Sequence, residues 1–158
     1  MTVSEMVRRG AIVPDLSART KVPALAELLA ALLNVGGIAQ EELPEAATAL
    51  LARERLGTTG IGRGIAVPHA KHNAIPGTVA VLGRSTCGID FASLDGEPVH
   101  LLLMILSNRQ SSEGHLRALA SAARLFGDER LIRAVQQATS AEGMLHVIEE
   151  AELAAQAS

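Results

Sequence analysis

The most unusual stretch of the chain is Gly57-Thr58-Thr59-Gly60-Ile61-Gly62-Arg63-Gly64-Ile65-Ala66-Val67-Pro68-His69, in which alternating glycines and two threonines lead into a histidine. Glycine lets backbone approach a ligand closely, and concave arrays of backbone N–H groups attract anions. The Thr58 and Thr59 hydroxyls could add to such an array beside Gly60, Gly62 and Gly64. His69 follows a proline that fixes the backbone at the end of a short β-branched piece. A neutral imidazole in that position is a good nucleophile near pH 7. On spacing alone, a plain loop histidine is an equal reading. A nucleotide loop fits poorly. The glycines alternate, so neither GxGxxG nor GxxxxGK[ST] is met, and they follow a helix and precede a strand, the reverse of the order those loops need.

The other candidates are more scattered. Arg53 lies sixteen positions before His69 and can meet it only if its helix ends beside the sheet edge. Otherwise it is a solvated charge near a helix C-terminus, where cations are favoured. His115 near a helix start reads on spacing as a surface histidine. Lys71 and His72 read as a solvated turn, His100 as a hydrogen-bonded core histidine, and Cys87 as a small buried apolar residue. His69, His72 and His115 are three candidate metal ligands, but no Asp, Glu or Cys stands at ligand spacing, so no metal or cofactor is expected.

These residues need elements to hold them. Pro23 suits a first helical turn, and Leu25, Leu28, Leu29, Leu32 and Leu33 form one apolar stripe ended by Asn34 and Gly36-Gly37. A second helix is expected from Glu42 to Leu56, with Gly57 as its stop. Between Gly57 and Pro98 short strands are expected, including Ile65-Ala66-Val67 and Thr78 to Leu82. Val99 to Leu106 is apolar nearly throughout, the mark of a strand covered on both faces. The C-terminal third is helical again. Leu116, Leu119, Ala123 and Phe126 should share a face, Asp128 should cap a short helix carrying Leu131, Ile132 and Val135, and Thr139 should cap the last one. The tail from Glu152 is expected to fray. The order predicts an α/β fold: one three-layer domain over residues 1–158, with a central mixed sheet flanked by helices.

Composition narrows the partners. The chain has 158 residues, 14 basic and 17 acidic side chains and a net charge of −3, with 48% apolar residues. That excludes wholesale disorder. The only aromatics are Phe91 and Phe126. A mildly acidic chain without an aromatic platform is not expected to bind nucleic acid. One cysteine closes no intrachain disulfide, and no apolar run approaches the roughly 20 residues of a membrane span. A cytoplasmic location without membrane insertion is the expectation, as is one unit too short to carry a fused transporter.

The stretch from Arg53 through Gly57-Thr58-Thr59-Gly60-Ile61-Gly62 to Gly64-Ile65-Ala66-Val67-Pro68-His69 resembles the active-site signature of enzyme IIA of the fructose/mannitol class. That class belongs to the bacterial phosphoenolpyruvate-dependent phosphotransferase system and includes nitrogen-regulatory IIA proteins. The stretches from Asp95 to Leu101, His115 to Leu119 and Leu131 to Ile148 are similar too, so the likeness runs along nearly the whole chain. It implies a phosphotransferase component that carries phosphoryl on Nε2 of His69, with Nδ1–H tied to a carbonyl. His115 and Arg53 would stabilise the phosphoryl group, and Thr58, Thr59, Gly60, Gly62 and Gly64 would form its binding loop. The implied partners are an HPr-like phosphocarrier as donor and a IIB component or a regulatory target as recipient. A purely regulatory module, or a degenerate fold that only binds an anion, are the competing readings. Arg63 and Ala70 depart from the family's usual small polar residue and glycine, which bears on partner preference. Ile61, Ile65 and Val67 are the expected apolar dock.

Overall fold

In the computed structural model, which describes residues 1–157, β6 (Val99–Ser107) is the strand on which everything else is registered. It is buried nearly throughout because both its faces are covered. Leu102, Met104 and Leu106 enter one hydrophobic cluster, while Leu101, Leu103 and Ile105 enter a second on the opposite face. Strand alternation thus turns a continuous apolar run into two half-cores.

The remaining elements in chain order are α1 (Val3–Arg9), β1 (Ala11–Val13), α2 (Lys21–Asn34), α3 (Leu43–Arg55), β2 (Gly60–Gly62), β3 (Ile65–Ala66), β4 (His69–Lys71) and β5 (Thr78–Ile89) before β6. After it come α4 (Ser112–Leu125), α5 (Glu129–Gln137) and α6 (Ala141–Ala157). The sheet runs β1-β5-β6-β3-β2, with β4 also paired to β6. β1 is parallel to β5, β5 antiparallel to β6, β6 parallel to β3 and β4, and β3 antiparallel to β2. The sheet is mixed, as expected.

The first cluster packs α2 and α3 on one face of the sheet through Leu25, Leu28, Leu29, Leu32, Ala46 and Leu50. The second packs α1, α4, α5 and α6 on the other through Met6, Ala118, Ala122, Leu131, Val135, Met144 and Ile148. The result is the three-layer α/β architecture.

Several local expectations shift. Two elements, α1 and β1, were not expected; α1 is seven residues, with Thr2 and Glu5 forming a capping box. β5 extends well past Leu82. The buried residues of α4 are His115, Ala118 and Ala122. Of the expected face, Phe126 is buried just beyond the helix and Leu119 packs against the core, but Leu116 is 66% exposed and Ala123 is exposed, so His115, Ala118 and Ala122 take their places. Ser140 rather than Thr139 caps α6: its Oγ accepts the Gly143 N–H at 3.0 Å. The helix continues to Ala157 instead of fraying from Glu152. Asp128 does cap α5, accepting from the N–H groups of Arg130 and Leu131.

Candidate functional site

The three residues singled out at the sequence level come together, and sheet register explains how. His69 opens β4 opposite Ile105, and two residues on Lys71 pairs with Ser107. Side chains two apart in a strand share a face. Here that is the face holding Ile105 and the α4 side of the core. The chain leaves β6 at Ser107, turns, and begins α4 at Ser112, so His115 drops back onto the strand end it came from. The two imidazole centroids lie 5.5 Å apart with the rings tilted by 52°. From the other layer, α3 ends beside β4 and brings Arg53 to the same place.

The hydrogen bonds fix the state of each ring. His69 Nδ1 lies 2.7 Å from the Val67 carbonyl, which can only accept, so Nδ1 carries the proton. Arg53 Nε–H donates to His69 Nε2 at 3.2 Å, so Nε2 presents its lone pair. Arg53 is itself held by a 2.8 Å bond from Nη1 to the Gly57 carbonyl. Burial pushes the pKa of His69 below its usual 6.5, and the Arg53 cation adds to this; the Val67 bond and Glu54 oppose it. His115 is held neutral more firmly, its pKa lowered to about 4 by burial, then by His69 and Lys71. Near pH 7 both rings are therefore neutral, flanked by Arg53 on one side and Lys71, whose Nζ donates to Ser112 Oγ at 3.1 Å, on the other.

The glycine segment behaves differently from an open amide array. Thr59 N–H donates to Glu54 Oε1 at 3.1 Å, and its hydroxyl donates to Glu54 Oε2. Thr58 Oγ1 donates to the Phe91 carbonyl and accepts the Gly60 N–H. Arg63 N–H donates to Asp95 Oδ2. A Cβ on Gly62 would sit 3.1 Å from Asp95 Oδ2, and one on Gly64 would sit 3.6 Å from His100 Cδ2. Both glycines have positive φ, 98° and 78°, so they shape the β2–β3 turn around Arg63, whose own φ is 58°. In this chain the Thr58–Gly64 segment is a hydrogen-bonded hairpin anchored to α3 through Glu54. Lys21 Nζ completes that anchor, 2.9 Å from Glu54 Oε1 and 4.8 Å from the Phe91 ring centroid.

Other sequence-level readings change on sight of the neighbours. His72 is buried, not in a solvated turn, because it continues β4 and its N–H bonds the Ser107 carbonyl. It lies with Glu42 and Glu45, the three possible ligand atoms within 4.8 Å of one another, a grouping the chain spacing did not suggest. However, His72 Nδ1 accepts the Ala74 N–H at 3.0 Å, so the neutral ring carries its proton on Nε2. That nitrogen carries a proton rather than the lone pair a metal would need, and although the two carboxylates lie 3.4 and 3.5 Å away it makes no hydrogen bond among the described residues. Cys87 is exposed, in the irregular end of β5 where register with β6 breaks. His100 is hydrogen-bonded to the Ser85 carbonyl at 2.8 Å but only half-buried. Ile65 is buried in the core and Ile61 exposed, so the expected apolar dock loses its central member. Ser107 is the site neighbour that sequence reasoning missed, and Lys71, read as part of a solvated turn, is instead in β4 beside the site; neither belongs to a motif, and β4–β6 register brings them in.

Residues 5–151 match the profile of the family described as phosphoenolpyruvate-dependent sugar phosphotransferase system, EIIA 2. The chain belongs to this family. A nitrogen regulatory protein of Bradyrhizobium diazoefficiens is 34% identical to this EIIA chain over 148 residues, 94% of it and 95% of the relative. The crystal structure of nitrogen regulatory protein IIA-Ntr from Neisseria meningitidis superposes with a TM-score of 0.81 at 25% identity, covering 92% of this chain and 98% of that one. The mannitol IIA of Escherichia coli, solved in complex with phosphorylated mannitol IIB, gives a TM-score of 0.72 at 25% identity, covering 88% and 94%. Among the described residues, no helix of this EIIA protein is long and apolar enough to cross a membrane.

Proposed function

We propose that this EIIA protein is a phosphocarrier in which His69 Nε2 takes a phosphoryl group from an HPr-like donor and passes it to a IIB-type partner or holds it as a signal. One observation carries the reading: a neutral His69 whose Nδ1–H is committed to the Val67 carbonyl, leaving Nε2 as a nucleophile under an arginine. In the transfer, the Nε2 lone pair attacks phosphorus in line with the donor's P–N bond. That bond breaks, its electron pair staying on the donor nitrogen, and an Nε2–P bond forms. Arg53 must then leave Nε2 and turn its guanidinium to the phosphoryl oxygens, for which its planar fork is suited. His115, neutral and 5.5 Å away ring to ring, is positioned to donate one hydrogen bond to the same oxygens. Catalysis of this kind is mainly positioning and charge stabilisation. The role for Thr58, Thr59, Gly60, Gly62 and Gly64 is then to hold α3 and β4 in place, since much of their hydrogen bonding is turned inward.

The partner would rest on the exposed apolar residues nearest these elements, Leu56, Ile61 and Leu116, around the half-buried His69. A small, transient interface suits a carrier that must release after each exchange. The near full-length similarity to a nitrogen regulatory protein favours a regulatory output for the phosphorylated form over direct sugar uptake. Incubation with enzyme I, HPr and phosphoenolpyruvate should add one acid-labile phosphoryl group to the wild type and none to His69→Ala. Equal labelling of the two proteins would sink the proposal.

A further inference from the structure

His115 Nδ1 lies 2.8 Å from Ser107 Oγ, and Thr78 Oγ1 donates to that same oxygen at 3.2 Å. All three residues are buried, and Ser107 and Thr78 face each other across the β5–β6 pair. We propose that Ser107, backed by Thr78, is a positioning residue that sets the tautomer of His115, sending its hydroxyl proton to Nδ1 so that the imidazole proton sits on Nε2. This rests on the reading of His69 as the phosphoryl acceptor, because it assigns His115 the donor that such a group would need.

A serine hydroxyl has one proton to give and two lone pairs to accept with. Thr78 already fills one lone pair. Among the described residues, the Ser107 hydroxyl has hydrogen-bond partners only in Thr78 and His115. If Nδ1–H donated to the serine, the serine would accept twice and its own proton would face nothing, in a position with no solvent contact. An unmade hydrogen bond in such a place is costly, whereas donation to Nδ1 satisfies every group. The ring nitrogen at the far side, Nε2, then keeps the proton and turns it away from Ser107, toward the space shared with His69. His69 and His115 are thereby set as complementary tautomers: the first with Nδ1–H bound to a carbonyl and Nε2 bare, the second with Nδ1 bare and Nε2–H free to donate. A His115 of the other tautomer would point a lone pair at an incoming anion, which repels it.

The test reads the tautomer directly, in full-length unphosphorylated protein, by nitrogen NMR of the histidine rings at neutral pH. Wild-type His115 should show a pyrrole-type Nε2 and a pyridine-type Nδ1. Ser107→Ala should convert it to the Nδ1–H form or a mixture. Thr78→Val, which removes only the second hydroxyl, should move it partway, and Thr78→Ser should restore the wild-type pattern. The same Ser107→Ala protein, once phosphorylated on His69, should lose its phosphoryl group roughly 3- to 10-fold faster, the size of one net hydrogen bond. An Nδ1–H tautomer in the wild type, or an unchanged tautomer in both Ser107→Ala and Thr78→Val, overturns the proposal. Wild-type protein that shows the expected tautomer but takes no phosphoryl group would instead count against the acceptor role of His69.

Discussion

Each nitrogen of the His69 ring is given a separate task, and that division decides what single substitutions should do. Nδ1–H is spent on Val67 and Nε2 is offered under Arg53. Under the proposed carrier role, replacing Arg53 by Ala removes both the hydrogen bond at Nε2 and the charge that would face the phosphoryl oxygens. Loss of one preorganised donor of this type costs roughly 10²-fold in rate. Lys at the same position should recover only part of it, since a point charge cannot bridge two oxygens. Quenched-flow transfer from phospho-HPr measures both. Burial should also appear in titration: the His69 ring should protonate below pH 6.5, and His115 near 4. A midpoint for either ring above 6.5 would contradict the buried, cation-flanked site.

The elements contribute by being held in register at two joints. One is the β4–β6 pairing that brings Lys71 and Ser107 beside His115. The other is Glu54, buried at the end of α3 and bonded to Thr59 and Lys21. Glu54→Ala would strand the Thr59 N–H and leave Lys21 without its partner, a loss of about 3 kcal/mol for a broken buried pair. Urea unfolding should show it as a lower midpoint, with slower phosphoryl acceptance because Arg53 sits next in sequence. Much of this scale was legible in the sequence. The leucine stripe of α2, the stop of α3 at Gly57, the doubly covered β6 and the Asp128 cap all follow from spacing and residue type. Each misreading has its own physical origin. On α4, the larger Leu116 outweighed small Ala118 and Ala122 in an apolar count, yet close approach of α4 to the sheet favours the alanines and turns His115 inward. α1 and β1 are too short to show a period. Ser107 and Lys71 reach the site through strand register, which the sequence does not display.

For the whole molecule, the neutral buried imidazoles make stability depend on acidity. His115 is lowered to about 4 in the folded chain from an ordinary 6.5, so between those values the unfolded chain binds a proton that the folded one refuses. Stability should therefore be fully present above pH 6.5, fall as pH drops toward 4, and level off below it. The decrement from this residue is on the order of 1–3 kcal/mol. His115→Asn should flatten that part of the profile, which denaturant melts at pH 4.5 and 7.5 would reveal. The two half-cores on β6 make the sheet a fixed plate, with α3 approaching from one layer and α4 from the other. His69 stands where all three meet. The most direct test of that account is to phosphorylate the wild-type chain through enzyme I and HPr and locate the group by phosphorus–nitrogen NMR coupling. A single phosphoryl group on His69 Nε2, absent from His69→Ala, is the predicted result; a group on Nδ1, on His115, or retained in His69→Ala would contradict it.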